Sequence, residues 1–299
     1  MQTPALSDAP PVETGPAGLL PLARILQWAP NEEVSAAAAF QVIALSCLHR
    51  FEVNRDLLAR TGDAEALHQA RVALRQLRSA FTVFRKIAAD DRFEHLRGEA
   101  RWLAAATNEA RDLDALIARM PAVPAALAAT RRRACTRAAK ILASARSDRM
   151  QRDLIDWLAN GAWREVRDPA DWTAAAFATA SLDRLRSALA KKGRHLRALD
   201  DRDLHEVRIA AKKLRYAAWF FSGLFPGEKV ERRAERFIQA MRRLQDRLGE
   251  VQDIAVAPVT LERFKVPRES WPRLPKRKKL VNRAAEDLSF ALAQKPYWR

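Results

Sequence analysis

A chain of 299 residues with 53 Lys and Arg against 36 Asp and Glu carries a net charge of +17. That balance predicts attraction to polyanions (nucleic acid, polyphosphate or an anionic membrane surface) and says nothing about fold. With 48% hydrophobic residues, 9 Gly and 2 Cys, the composition supports a sizeable core and excludes a disulfide framework. Ala, Arg and Leu dominate, and all three are strong helix formers. No Pro falls between Pro30 and Pro121, between Pro124 and Pro169, or between Pro169 and Pro226. Long proline-free stretches of this composition predict an all-α chain.

Residues 1 to about 18, rich in Pro and Gly, read as a flexible tail, and Leu19 to Trp28 as a short apolar segment that docks on the body. Asn31 is the candidate cap of a first helix, with Glu32 and Glu33 in its first turn, running to about Arg60. Thr61-Gly62-Asp63 stops it, and Asp63 caps a second helix over about 64–89. A third is predicted over about 92–119 and, after Pro121 and Pro124, a fourth over about 124–145. Four helices on short connections make an antiparallel bundle over about 31–147. Asp148 to Trp163 is a shorter amphipathic piece, and the connecting segment runs over about 148–169.

The second half, about 170–299, follows the same plan. A helix over about 171–198 precedes one over about 202–222, capped by Asp200 or Asp201 and stopped by Gly223 and Pro226-Gly227. A third covers about 228–256, a proline-broken connection runs from Pro258 to Pro275, and a last helix covers about 276–294. Tyr297 and Trp298 are expected to pack back on the body. Nothing at the start combines a basic stretch with an apolar run, so no signal peptide is predicted. The longest uncharged run, Val34 to Leu48, is too short to span a bilayer. The expectation is a cytoplasmic protein with no membrane partner.

One stretch occurs twice. Leu67, His68, Arg71, Ala73, Leu77, Arg78, Ala80 and Phe84 recur, without gaps, as Leu204, His205, Arg208, Ala210, Leu214, Arg215, Ala217 and Phe221. Arg75 becomes Lys212 and Val72 becomes Ile209, so the chemistry holds where the letter changes. On a helix, His68, Arg71, Arg75 and Arg78 fall within an arc of roughly 80°, and their stripe is roughly 15 Å long. His205, Arg208, Lys212 and Arg215 form a second such stripe. Leu67, Leu74, Leu77, Phe81 and Phe84 occupy a different face, the one to bury. Like charges three and four residues apart repel. A charge run is usually a solvated face, but one built twice, each time led by a His, points to a bound polyanion. The repeat period of about 137 residues is too long for a solenoid. It implies two four-helix bundles related by a pseudo-two-fold axis, with both stripes on one groove. A weaker repeat follows, Asn108-Glu109-Ala110-Arg111-Asp112-Leu113 against Gly249-Glu250-Val251-Gln252-Asp253-Ile254.

The doubled pattern H-x-x-R-x-x-x-[RK]-x-L-R resembles the CHAD family (conserved histidine α-helical domain), over about residue 31 to the C-terminus. Members of that family bind inorganic polyphosphate, so the resemblance implies polyphosphate as partner. The contacts it implies are His68, Arg71, Arg75, Arg78, His205, Arg208, Lys212 and Arg215, with Lys213, Tyr216 and Arg111 in secondary places. It also implies association with polyphosphate granules. The weaker repeat resembles the family's L-G-x-x-R-D segment, with Asn108 in place of Gly in one copy and Gln252 in place of Arg in the other. The E-x-E-x-K signature of the CYTH domain that often accompanies this family has no counterpart in residues 1–30.

No close Cys pair, H-x-x-x-H, Gly-rich phosphate loop or nucleophile motif is found, so no metal, no cofactor and no catalytic residue is predicted. The two carboxylates of Asp112 and Asp114, two apart on a helix, do not face each other; Asp112 and Asp253 are expected to pair with cations. Trp102, Trp157, Trp163 and Trp219 lie in helical patterns and read as core, not as a base-stacking platform. Nucleic acid or an acidic protein segment in the basic groove is the alternative reading.

Overall fold

The structure, a computed structural model, describes residues 34–120, 122–164, 172–268 and 271–299. The tail, the Leu19–Trp28 segment, the Asn31 cap, Pro121 and Asp168-Pro169 lie outside the described residues. Helices carry the described chain, and extended pairing among them is limited to a bridge between Ser35 and Thr173.

Local chemistry sets most boundaries. Helix α1 (Ala36–Thr61) starts where the Ser35 hydroxyl accepts from the Ala38 amide at 3.1 Å. It ends at Gly62, whose φ of 67° only glycine adopts without strain and whose amide donates to the Leu58 carbonyl. Asp63 caps α2 (Ala64–Val83) through the Glu65 amide at 2.9 Å. The expected helix 64–89 is interrupted at Phe84, whose ring is buried among aromatics of both halves, and resumes as α3 (Arg85–Ala88). The expected helix 92–119 is divided into α4 (Phe93–Ala106) and α5 (Asn108–Ile117). At the break the buried Thr107 hydroxyl donates to the Ala104 carbonyl, a local bond that competes with the helical ladder. Helix α6 (Ala125–Leu142) precedes α7 (Ala145–Asn160), which starts earlier than expected because Ser144 caps it.

In the second half Thr173 caps α8 (Ala174–Lys192), shorter than the expected 171–198 because the chain turns at His195, where φ is 59°. Asp200, through the Asp203 amide at 2.8 Å, caps α9 (Asp201–Phe221). Helix α10 (Glu228–Arg263) corrects the expected stop near 256, since Pro258 lies inside it. A proline there removes one backbone bond, and the neighbouring Ala257 and Leu261 are buried and hold the helix to the core. Helix α11 (Arg277–Ala293) ends the fold.

Leu67, Leu74, Leu77, Phe81 and Phe84 are all buried, as the periodicity of α2 predicts. Helices α2 and α9 pack on each other, and their equivalent Phe84 and Phe221 rings meet with centroids 5.6 Å apart, joined by Phe177. Trp157 and Trp163 are fully buried, whereas Trp102 and Trp219 sit half-buried at the edge of the core. Helix α1 is long and apolar enough, at mean hydropathy 1.2 over its most apolar window, to cross a membrane by length and composition. Its Phe40, Ile43, Ala44, Cys47, Leu48 and Phe51 are buried in the core, which accounts for that composition.

Tyr297 and Trp298 are buried as expected. The Tyr297 hydroxyl donates to the Ala218 carbonyl at 2.6 Å, which ties the C-terminus to α9. Tyr297→Phe is expected to lower stability by about 1 kcal/mol in urea unfolding; an unchanged midpoint contradicts the tie.

Candidate functional site

Both cationic stripes face the space where α2, α9 and α10 meet. A cavity of about 480 Å³ is lined by His68, Arg71 and Arg75 from α2, Arg208, Arg215 and Tyr216 from α9, and Arg111 from α5. A smaller one of about 240 Å³ is lined by Arg71, Arg75 and Arg78 together with His205, Arg208 and Lys212. Arg71, Arg75, Arg208 and Gln245 line both, so the two cavities adjoin. All eight residues singled out by the doubled motif therefore line one cavity or the other. Of the secondary candidates, Arg111 and Tyr216 line the larger one and Lys213 lines neither.

Tyr216 is only 2% exposed, beneath the Arg215 guanidinium at 4.4 Å from its ring. Its hydroxyl, with the Nε atoms of Arg75 and Arg208, is buried without a hydrogen-bond partner among the described residues. Buried polar atoms are normally paired, and three unpaired donors around one cavity suit a ligand rich in acceptor oxygens.

Arg71, Arg75, Arg78, Arg208, Lys212 and Arg215 make no ion pair among the described residues. Elsewhere arginines do: Arg119 reaches Asp253 at 2.8 Å, Arg131 reaches Asp114 at 2.6 Å and Arg146 reaches Glu99 at 2.8 Å. The electrostatic consequence is direct. Burial, and then the neighbouring Arg75 and Arg111, hold Arg71 down to about 10. Burial, with Arg78, Arg208 and Arg75, holds Lys212 down to about 8. Burial also lowers Arg78, Arg208 and Arg215. His68 is lowered chiefly by burial, with Arg75 and Arg71 adding to it against the opposite pull of Glu65.

Supporting residues fill out the walls. The His205 Nδ1 lies 3.1 Å from the Gln252 Oε1, so the residue that departs from the family segment orients the second histidine. Arg215 Nε donates to Gln245 Oε1 at 2.8 Å. Asp253 holds Arg119 and lies 4.0 Å from Arg111, in keeping with its expected pairing role. Asp112 makes no ion pair among the described residues, against the same expectation, because it is exposed at the rim of a neighbouring pocket. Among the described residues no group of three His, Cys, Asp or Glu is placed to hold a metal ion.

Sequence reasoning missed Arg242, Gln245 and Asp246, which line the larger cavity from α10, and Arg101, whose charge acts on Arg78. A signal existed. Extending the weaker repeat toward its N-terminus pairs Arg101 with Arg242 and Leu103 with Leu244.

Two comparisons with known proteins point to the same family. The family profile described as CHAD domain matches residues 42–262. A search of curated proteins finds no significant match. Among solved structures, the crystal structure of the CHAD domain from the plant Ricinus communis is similar, with 27% identity and a TM-score of 0.67. The match covers 88% of this chain and 89% of that one. Since the profile spans well over half of the sequence and contains both motif helices, this chain belongs to the CHAD family.

Proposed function

We propose that this protein binds inorganic polyphosphate without chemical turnover, in the paired cavities between α2 and α9. The carrying observation is that two stripes of cations without ion-pair partners, from separate halves of the chain, share Arg71, Arg75 and Arg208 as common lining. The planar guanidinium grips two phosphate oxygens at once, and a bound polyanion offsets the burial and the neighbouring cations that hold Arg71 and Lys212 low. The eight motif residues are the contacts, with Arg111 and Tyr216 supporting them and Lys213 at the margin. Base stacking has little to work with: among the described residues Tyr216 is the one Phe, Tyr or Trp in the lining, and it is buried. A cytoplasmic location and association with polyphosphate granules belong to the same reading.

The same proposal includes the duplication into two four-helix bundles, about 31–147 and 170–299, across a pseudo-two-fold axis. Two reciprocal contacts support it. The Ala36 amide donates to the Trp172 carbonyl and the Ala174 amide to the Val34 carbonyl, joining the caps of α1 and α8 at the repeat spacing to within one residue. Phe84 and Phe221, equivalent in the repeat, touch. Helix α7 stands outside the four-helix plan as the connection.

The direct test is competition. Long-chain polyphosphate is expected to displace a labelled ligand far better than single-stranded DNA, RNA or an acidic peptide at equal charge; equal displacement favours a general polyanion binder. The purified protein is also expected to release no phosphate from polyphosphate or nucleoside triphosphates, and metal-dependent release that tracks with the protein overturns the binding-module reading.

Lys212 gives a pH prediction. A ligand that raises its pKa from about 8 makes Lys212 take up a proton on binding at or above that pH, so affinity falls as pH rises through about 8. Calorimetry in buffers of different ionisation heat is expected to show uptake near pH 8.5 that diminishes in Lys212→Met. The sign for the ligand-free fold is the reverse. Its folded pKa lies below the unfolded value, so between the two the unfolded state binds more protons. Ligand-free stability accordingly gains from this group as pH rises from about 8 toward the ordinary lysine range.

A further inference from the structure

The larger cavity has a feature that a simple cation trap lacks. Asp246, Glu250 and Asp253, spaced four and three residues apart on α10, share one helix face and all line it. Among the described residues no carboxylate lines the smaller cavity. Among the described residues of the first half no matching ridge lines either cavity. In the register of the weaker repeat, Ala105 stands opposite Asp246, Glu109 turns away to Arg137 at 2.6 Å, and Asp112 borders the neighbouring pocket. Cations are thus present on both sides of the duplication, and an acidic ridge on one.

Each carboxylate of the ridge has an arginine beside it, Asp246 the least closely. Asp246 lies 3.8 Å from Arg242, Glu250 lies 2.9 Å from Arg247, and Asp253 is held by Arg119. Carboxylates beside a cationic floor weaken the binding of any anion that comes near them. That the cavity nonetheless takes a ligand is indicated independently by the Tyr216 hydroxyl, buried and unpartnered among the described residues in the same lining.

We propose that Asp246, Glu250 and Asp253 form a repulsive wall that selects polyphosphate over single-stranded nucleic acid. This inference rests on the polyphosphate reading above. In polyphosphate, neighbouring phosphates share an oxygen, so the chain is thin and its charges follow the Arg71, Arg75 and Arg208 floor, beside Gln245 of α10, without spreading over the carboxylate ridge. In nucleic acid a sugar separates successive phosphates and carries a base. A strand that puts several phosphates on the floor spreads across the cavity and brings others against the ridge. Specificity of this kind comes from penalising the wrong ligand rather than from gripping the right one harder.

The test is the double variant Asp246→Asn with Glu250→Gln, which leaves Asp253 in its contact with Arg119. Affinities for long-chain polyphosphate and for single-stranded RNA are measured side by side at low and high salt. RNA is expected to bind at least about tenfold tighter than to the wild type, and polyphosphate to change by much less. The difference is expected to shrink as salt rises, because the repulsion is screened. The charge-keeping pair Asp246→Glu with Glu250→Asp is expected to retain the wild-type ratio, which separates charge from packing. An unchanged ratio in the neutral variant overturns the wall. So does weaker polyphosphate binding, which assigns the carboxylates to ligand capture through a bridging cation. A wild type that binds no polyphosphate is a separate outcome, and it removes the polyphosphate reading together with the wall.

Discussion

Replacing Arg71, Arg75 and Arg78 together with Ala is expected to lower affinity for long-chain polyphosphate at least about a hundredfold, since each charge-assisted contact contributes roughly 1.5–3 kcal/mol. The same loss is expected for Ala at Arg208, Lys212 and Arg215. A polyanion held by Arg and Lys releases counterions, at roughly 0.7 per phosphate contact for a single strand. The log–log salt slope should therefore flatten by about two units in either variant. Folding is expected to survive, because none of the six side chains is in the buried core of α2 or α9. Removing mutually repelling half-buried cations should leave the helical circular dichroism unchanged and the thermal midpoint equal or higher. If one variant binds normally with an unchanged slope while the other loses binding, only one half carries the site. If both bind normally, the stripes are solvated faces and the positive charge acts elsewhere, for example through Lys276, Arg277, Lys278 and Lys279.

Chain length is the second large effect. Each stripe is roughly 15 Å long, and the stripes adjoin through shared residues. A long chain engages both, and its later contacts form at high effective concentration, a gain of roughly 10²–10⁴ without any new kind of contact. Orthophosphate, pyrophosphate and ATP reach only a few of the cations. Their affinities are expected to lie at least about a thousandfold below that of long chains, rising steeply with length until both stripes are filled. Equal affinity for ATP and long polyphosphate indicates a compact nucleotide pocket instead.

How much of this was legible in the sequence depends on which interactions are local. The caps at Asp63 and Asp200, the stop at Gly62 and the burial of Leu67, Leu74, Leu77 and Phe81 follow from neighbours a few residues away, and a single sequence carries them. The cationic stripes were legible because they occur twice; one copy reads as an ordinary solvated face. The breaks at Phe84 and Thr107 were hidden, since one depends on an aromatic cluster drawn from three helices and the other on a buried hydroxyl. Pro258 read as a stop because local chemistry makes it one, and packing of Ala257 and Leu261 overrides it. Arg242, Gln245 and Asp246 escaped notice for a different reason. Arg242 has a repeat partner in Arg101, but Gln245 and Asp246 pair with Ala104 and Ala105 and carry no such signal; their part in the cavity comes from which helix packs beside α9, a fact of tertiary structure.

The claim that both halves hold one ligand is tested most directly by stoichiometry. Wild-type protein is titrated calorimetrically with a polyphosphate chain somewhat longer than a single stripe, roughly 15 Å, at low salt. A shared site predicts one chain per protein, with both triple-alanine variants losing that single event. Two chains per protein, each lost in only one of the variants, contradict the shared site.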